Sequence, residues 1–238
     1  MPLLSGRAFP AMRSGLRIFQ SKLFLLGLLA VGLASLVLVF GFAPTALYGV
    51  STPGNLIAYW HISLAWTAGI ALLLTFLGSV QYLRTRNRYW NLLAAGSGEV
   101  GFVMLTATMV MGSIWGSLIW GVYWSWGDVR MVTLFIAWFV YAGYLVVFHS
   151  TKHGEGKYAA VYGILGFLTI PLSFLSVRLW QPELHNPTLG NTGATGSIDG
   201  VILVVSIIAI GLLYLALLSF RVRLFELEDA ILERTGRN

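Results

Sequence analysis

The 238-residue chain is 57% hydrophobic and only 10% charged, against roughly 25% charged residues in a soluble domain, and reads as a polytopic membrane protein. It has no cysteine, which excludes disulfides, thiolate metal sites, thiol redox chemistry and thioether attachment of a prosthetic group. The formal charge of +6 points, in a chain this apolar, to the anionic cytoplasmic leaflet rather than to nucleic acid.

Arg7, Arg13, Arg17 and Lys22 make residues 1–22 a basic tail ahead of the first apolar run, Leu23 to Phe42. Ala43 and Ala46 follow that run as they would a signal peptide, but it exceeds the usual core of about 7–15 residues and is read as an anchor. Five further runs lie at Trp60 to Tyr82, Leu92 to Ile114, Met131 to Phe148, Ala159 to Leu179 and Val201 to Phe220. At 1.5 Å per residue, about 20 residues cross a hydrocarbon core near 30 Å thick. The expected fold is all-α, one integral membrane domain of six transmembrane helices over residues 23–220. A tail over 221–238 follows, with Leu224, Leu227, Ala230 and Ile231 along one stripe. That tail fits packing on a partner, packing on the bilayer, or simple extension of the last helix.

Thirteen of the fifteen basic residues fall in the two tails and the second-to-third and fourth-to-fifth loops. Only Arg130 and Arg178 fall on the other side. The positive-inside rule then places both termini in the cytoplasm and the remaining three loops outside.

One of the outer loops concentrates aromatic residues. Between Trp115 and Trp126 lie four of the nine tryptophans, Trp115, Trp120, Trp124 and Trp126, with Tyr123 among them. The stretch is too aromatic for a solvent loop and too rich in glycine for a span, and reads as a flat apolar shelf at the membrane surface. A lid or re-entrant segment without a ligand fits the same spacing. His61, at the outer end of the second span, and His185, in the loop after the fifth, share that face, whereas His149 and His153 lie on the cytoplasmic side.

Neutral imidazole is the commonest metal-binding side chain, and one histidine on a helix with one on a loop can approach the two faces of a porphyrin. Leu64, Ala65 and Ala68 follow His61 on one helical face, where small residues would admit a flat macrocycle. Pro182 and Pro187 restrict the backbone around His185. Each histidine alone also has the plainer reading of a hydrogen-bonded interfacial residue. Arg130 and Arg178 are candidate clamps for an anionic ligand. The competing readings are an Arg130–Asp128 pair at a helix start and Arg178 snorkelling from a helix end. Glu99 is the one carboxylate inside an apolar run, either costly and functional or near the interface and ordinary. No P-loop, zinc-protease or nucleophile-elbow motif occurs.

The run Trp120-Gly121-Val122-Tyr123-Trp124-Ser125-Trp126-Gly127-Asp128-Val129-Arg130 resembles the tryptophan-rich "WWD" signature of the haem-handling proteins of cytochrome c maturation, specifically the CcmC family. Gly112-Ser113-Ile114-Trp115-Gly116, His61-Ile62-Ser63-Leu64-Ala65-Trp66 and Leu184-His185 extend the likeness over His61 to roughly Phe220. Two departures stand out. Gly127 separates Trp126 from Asp128, which the family pattern places side by side, and the stretch from Trp180 to Leu184 is about one residue longer.

The resemblance implies a multi-pass protein of the cell inner membrane that holds non-covalent, b-type haem at its extracytoplasmic face. His61 and His185 would be axial ligands, Trp115, Trp120, Trp124 and Trp126 the platform, and Asp128, Arg130 and Arg178 part of the site. It implies a haem transporter or chaperone subunit rather than an enzyme. The implied partners are the ABC-type CcmA and CcmB, the small CcmD and the haem chaperone CcmE, with ATP hydrolysis in a partner. The alternatives are a CcsA-type cytochrome c synthesis subunit, which usually has more spans, a cytochrome b-type electron carrier, and an assembly subunit with no ligand.

Overall fold

The computed structural model describes residues 15–47, 50–150, 156–180, 184–185 and 198–235. Arg7, Arg13, Lys152, His153, Pro182, Pro187 and Arg237 lie outside these residues. Six helical segments among them are long and apolar enough to cross a membrane, matching the six runs read from the sequence. The first, α1, spans Lys22–Phe42, with the Ser21 side chain accepting from the Phe24 N–H at its start. A minimal antiparallel pair, Ala46–Leu47 with Val50–Ser51, and a 3-10 turn, Pro53–Leu56, lead into α2, Ile57–Thr85. Next come α3, Arg88–Trp120, and α4, Val129–Ser150.

The fifth span is two helices, α5 (Lys157–Gly166) and α6 (Thr169–Leu179). Pro171 explains the break: it has no N–H to donate and its ring crowds the carbonyl of Phe167, four residues back. The chain tightens there, with Leu168 N–H donating to the Leu165 carbonyl and Ile170 N–H to that of Phe167. The sixth span, α7, runs unbroken over Gly200–Thr235. Its 36 residues correspond to about 54 Å, far more than a hydrocarbon core requires. The stretch after Phe220 therefore continues the last helix, with Val222 and Phe225 buried against the bundle.

In α3 the helix also outruns its apolar core. It continues through Gly112 and Gly116 to Trp120 and ends at Gly121, whose φ of 73° is the left-handed cap that glycine adopts without strain. Trp115 and Trp120 are consequently helical, and only Trp124 and Trp126 belong to the loop.

Packing is tightest between α2 and α3, along small residues. A Cβ on Gly101 would lie 2.9–3.0 Å from Leu72 and Ala71, and one on Gly78 3.1 Å from Ala94. Close backbone approach of this kind replaces the hydrophobic drive that membrane helices lack. Ala68, Ala71, Leu72, Val100, Met104, Tyr141, Tyr144 and Leu218 fill the centre. Buried hydroxyls turn inward to backbone carbonyls: Thr75 and Ser97 both donate to that of Ala71, and Ser97 also meets the Tyr214 hydroxyl at 2.7 Å. Helix α1 is peripheral, with only Ser35 and Val39 buried; Ser35 meets Ser206 of α7 at 3.0 Å.

The two ends of the bundle differ in chemistry. At one end sit the first turns of α2, the last of α3, the 121–128 loop, Leu184-His185 and the start of α7. At the other, Arg88 forms a bidentate pair with Asp229 at 2.8 Å, and Arg221 pairs with Glu99 through Nε and Nη2. His149 Nε2 adds to Glu99 at 2.8 Å. Glu99 is thus near the basic end, ion-paired with Arg221 and hydrogen-bonded to His149.

Candidate functional site

His61 lies one turn into α2, and its ring is pressed against α3. Nδ1 is 3.0 Å from the carbonyl oxygen of Thr108, and a Cβ added to Gly112 would sit 2.6 Å from Cε1. A carbonyl can only accept, so this bond requires Nδ1 to carry the proton and leaves the lone pair on Nε2. Gly112 follows Thr108 by one helical turn, and lacking a side chain it is what lets the imidazole reach that carbonyl. On its other side the ring meets Trp115, centroids 5.8 Å apart.

Trp115 is itself fixed. Its indole N–H donates to Asn55 Oδ1 at 3.1 Å, and Asn55, fully buried, donates in turn to the Thr45 carbonyl at 2.7 Å. The segment entering α2 is thereby tied to the helix facing His61.

Asp128 organises the second histidine. Its side chain is completely buried, and Oδ1 accepts from the backbone N–H groups of Arg130 and Met131, the N-cap arrangement that starts α4. The same carboxylate accepts the N–H groups of Leu184 and His185 on Oδ2, at 2.9 and 3.0 Å, and His185 Nδ1 on Oδ1 at 2.9 Å. Burial opposes the charge on Asp128. The hydrogen bond from His185, the electrostatic pull of that polarised N–H and the two backbone N–H groups outweigh it and hold the carboxyl well below the usual carboxylate range. Since a carboxylate accepts, His185 Nδ1 also carries its proton and Nε2 keeps the lone pair.

Both imidazoles are therefore oriented by an acceptor at Nδ1, the arrangement that fixes tautomer and ring direction in metal-ligating histidines. They lie at the same end of the bundle. Trp120, in the last turn of α3, meets the His185 ring edge-on at 4.8 Å, and both His185 and Arg130 lie within electrostatic reach of His61.

The tryptophans divide into two sets instead of forming one flat shelf. Trp115 and Trp120 face the histidines from α3. Trp124 and Trp126 pack on each other at 5.6 Å with planes 68° apart, and both lean edge-on against Phe135 of α4. T-shaped packing is what ring quadrupoles favour, and it prevents a coplanar surface. Trp126 is 67% exposed, and Trp124 Nε1 is buried with no hydrogen-bond partner among the described residues.

Arg130 is half-buried on the first turn of α4. The side chain that bonds the Asp128 carboxylate is that of His185, while Arg130 contributes its backbone N–H. Arg178 is exposed in the last turn of α6, where a cation complements the helix dipole. Ala68 is buried within the α2–α3–α4 core, so the small residues below His61 serve helix packing rather than an open face.

The sequence did not single out Thr108, Asn55 or Phe135. A backbone acceptor leaves no mark on residue type. The quoted Gly112-Ser113-Ile114-Trp115-Gly116 run contained the one signal present, a glycine one turn after Thr108.

The chain is 31% identical over 166 residues to the protein named heme exporter protein C of Escherichia coli (strain K12), covering 67% of this chain and 63% of that protein. It is 28% identical over 132 residues to a ccmC-like mitochondrial cytochrome c biosynthesis protein of Marchantia polymorpha, covering 56% of this chain. It is also 37% identical over 112 residues to the cytochrome c biogenesis protein CcsA of Trieres chinensis, covering 46% of this chain. The matched stretch spans 55% of the Marchantia protein and 33% of the Trieres protein, so the chain covers about one to two thirds of these relatives. The family model described as cytochrome C assembly protein matches residues 5–185, and the chain belongs to that family, among its CcmC members.

Proposed function

We propose that this protein receives haem between His61 and His185 at the extracytoplasmic face of the cell inner membrane and presents it to a haem-accepting chaperone of the CcmE kind. The observation that carries the reading is the matched state of the two imidazoles. Each has Nδ1 held by a group that only accepts, and each keeps an Nε2 lone pair at the same end of the bundle. Trp120 and Trp115 flank the two rings. The buried, orphaned indole N–H of Trp124 is a donor that an anionic edge of the cargo would satisfy, with Arg130 and Arg178 as the cations of that face. The absence of cysteine excludes thioether attachment and supports non-covalent binding.

The orientation rests on the basic residues Arg84, Arg86, Arg88, Arg221 and Arg223, which share the end opposite the histidines. Without a nucleotide-binding motif in the sequence, ATP-driven steps fall to ABC-type partners, CcmA and CcmB with CcmD, as the family likeness suggests. A handover protein must also let go. Release then requires a partner to weaken one ligand or move the indoles, because only a differential interaction shifts such an equilibrium.

The test is a pyridine-haemochrome assay and an absorbance spectrum of the purified protein, with His61→Ala and His185→Ala alongside. Each variant should lose haem or change its iron coordination. Full haem with an unchanged spectrum in both variants would falsify the reading. Among its relatives, the likeness to a CcsA protein supports a second reading, a cytochrome c synthesis subunit that supplies haem without a CcmE-type acceptor. Complementation of strains lacking either heme exporter protein C or CcsA distinguishes the two.

A further inference from the structure

At the basic end of the bundle, residues 15–20 form a short strap that ends in the 3-10 turn Ile18–Gln20 before α1 begins. The strap is fastened to α7: Gln20 Nε2 donates to the Ser219 carbonyl at 2.9 Å, and Leu16 packs against the central core. Between strap, α3 and α7 lies a shallow cleft with Arg17 on one wall and Arg223 on the other. Leu16, Tyr89 and Val222 supply its apolar floor and Glu226 its one acidic group.

Three observations bear on what fits there. First, the level of the cleft is fixed by Ser219 and Val222, where the apolar run of α7 gives way to Arg221 and Arg223, and by Lys22 at the start of α1. This is headgroup height, where a phosphate meets the ends of acyl chains. Second, the cations are underused. Arg17 has no ion-pair partner among the described residues, and the Arg223–Glu226 contact is long, at 3.4 Å. Third, the arginines of α3 and α7 that lie nearest are committed to carboxylates, Arg88 to Asp229 and Arg221 to Glu99, which leaves Arg17 and Arg223 as the cations that line the cleft itself.

We propose that this cleft holds the phosphate of an anionic phospholipid, with Arg17 and Arg223 as its two cationic walls and the acyl chains descending beside α1. The lipid would close a seam the protein leaves weak. Helix α1 buries only two of its residues, and the strap joins it to α7 at the same level as the cleft. The inference depends on the membrane position of the chain and not on haem binding.

Thermal unfolding of the purified full-length protein in a neutral detergent, with added dioleoylphosphatidylglycerol, dioleoylphosphatidylcholine or inorganic phosphate, tests it. The anionic lipid should raise Tm while phosphatidylcholine and phosphate do not. Its affinity should fall about five-fold in Arg17→Gln and again in Arg17→Gln/Arg223→Gln, the ratio expected from about 1 kcal/mol per basic residue at a lipid surface. Arg17 is exposed, so the single variant keeps its fold and carries the test even if the double variant does not. The control Arg84→Gln/Arg86→Gln should bind as the parent does. Equal protection by phosphatidylcholine or by inorganic phosphate, an undiminished lipid effect in Arg17→Gln, or an equal loss in the control would overturn the assignment.

Discussion

Each end of the bundle contains a carboxylate bonded to a histidine, and the two differ in which ring nitrogen is engaged. At the basic end Glu99 holds His149 through Nε2, alongside two contacts from Arg221. At the opposite end Asp128 holds His185 through Nδ1, and the remaining bonds to that carboxylate come from backbone N–H groups. The first arrangement spends the more accessible nitrogen on an ion cluster that ties α3, α4 and α7 together. The second leaves that nitrogen without a hydrogen bond among the described residues. The same pair of residue types thus makes a clasp in one place and, on the function proposed above, a ligand mount in the other, and the difference lies in atom-level connectivity, not in the presence of His beside Asp or Glu.

The harshest way to break the contrast is Asp128→Ala. Five hydrogen bonds lose their acceptor inside a buried site, so a cost of about 3–5 kcal/mol is expected in detergent unfolding, together with loss of haem. Asp128→Asn sharpens it, since an amide keeps part of the cap but not the charge. Haem affinity should drop roughly 10–100-fold, as when other orienting partners of metal-bound histidines are changed. Acid exposes the same group. With its folded-state pKa depressed, the stability Asp128 contributes is complete above the unfolded value near 4 and disappears as pH falls through the folded one. An acid titration of Tm should therefore be shallower in Asp128→Asn than in the parent.

At the basic end, Arg221→Gln should destabilise by about 2 kcal/mol, between the values for exposed and buried pairs, yet leave the haem spectrum as it was. A spectrum that changed with it would mean the two ends are coupled. Gly112→Ala is a finer probe: the new methyl must displace the His61 ring, at about 1–2 kcal/mol, and the visible spectrum should shift. Trp126→Ala should alter stability by less than about 0.5 kcal/mol because the ring is mostly exposed, so any fall in recovered haem reports contact with the cargo.

Hydropathy and length were sufficient to count the spans, because a run of apolar residues near 20 long has few other uses. They were insufficient for the ends of α3 and α7. There, polar or glycine-bearing turns continue the helix under tertiary control: Gly116, read as punctuation, serves close packing beside Trp120, as Gly112, read within the span, does beside His61. The break in the fifth span is not legible in Ala159 to Leu179, which reads as one run; Pro171 lies within it, and a proline in a run of this length signals a kink as readily as a full interruption. The aromatic density from Trp115 to Trp126 was legible and its geometry was not, since ring planes depend on partners such as Phe135 that lie outside the motif. Gly127, which displaces Asp128 by one position, proved compatible with a carboxylate capping α4. The cap is set by distance to the first helical N–H groups and tolerates an extra residue on the loop side.

Because one buried carboxylate both begins α4 and secures the backbone of Leu184-His185, that helix and that loop cannot be displaced independently. A shift of the first turn of α4 therefore carries the backbone and ring of His185 with it. That turn is in effect a lever whose short arm is a nitrogen lone pair.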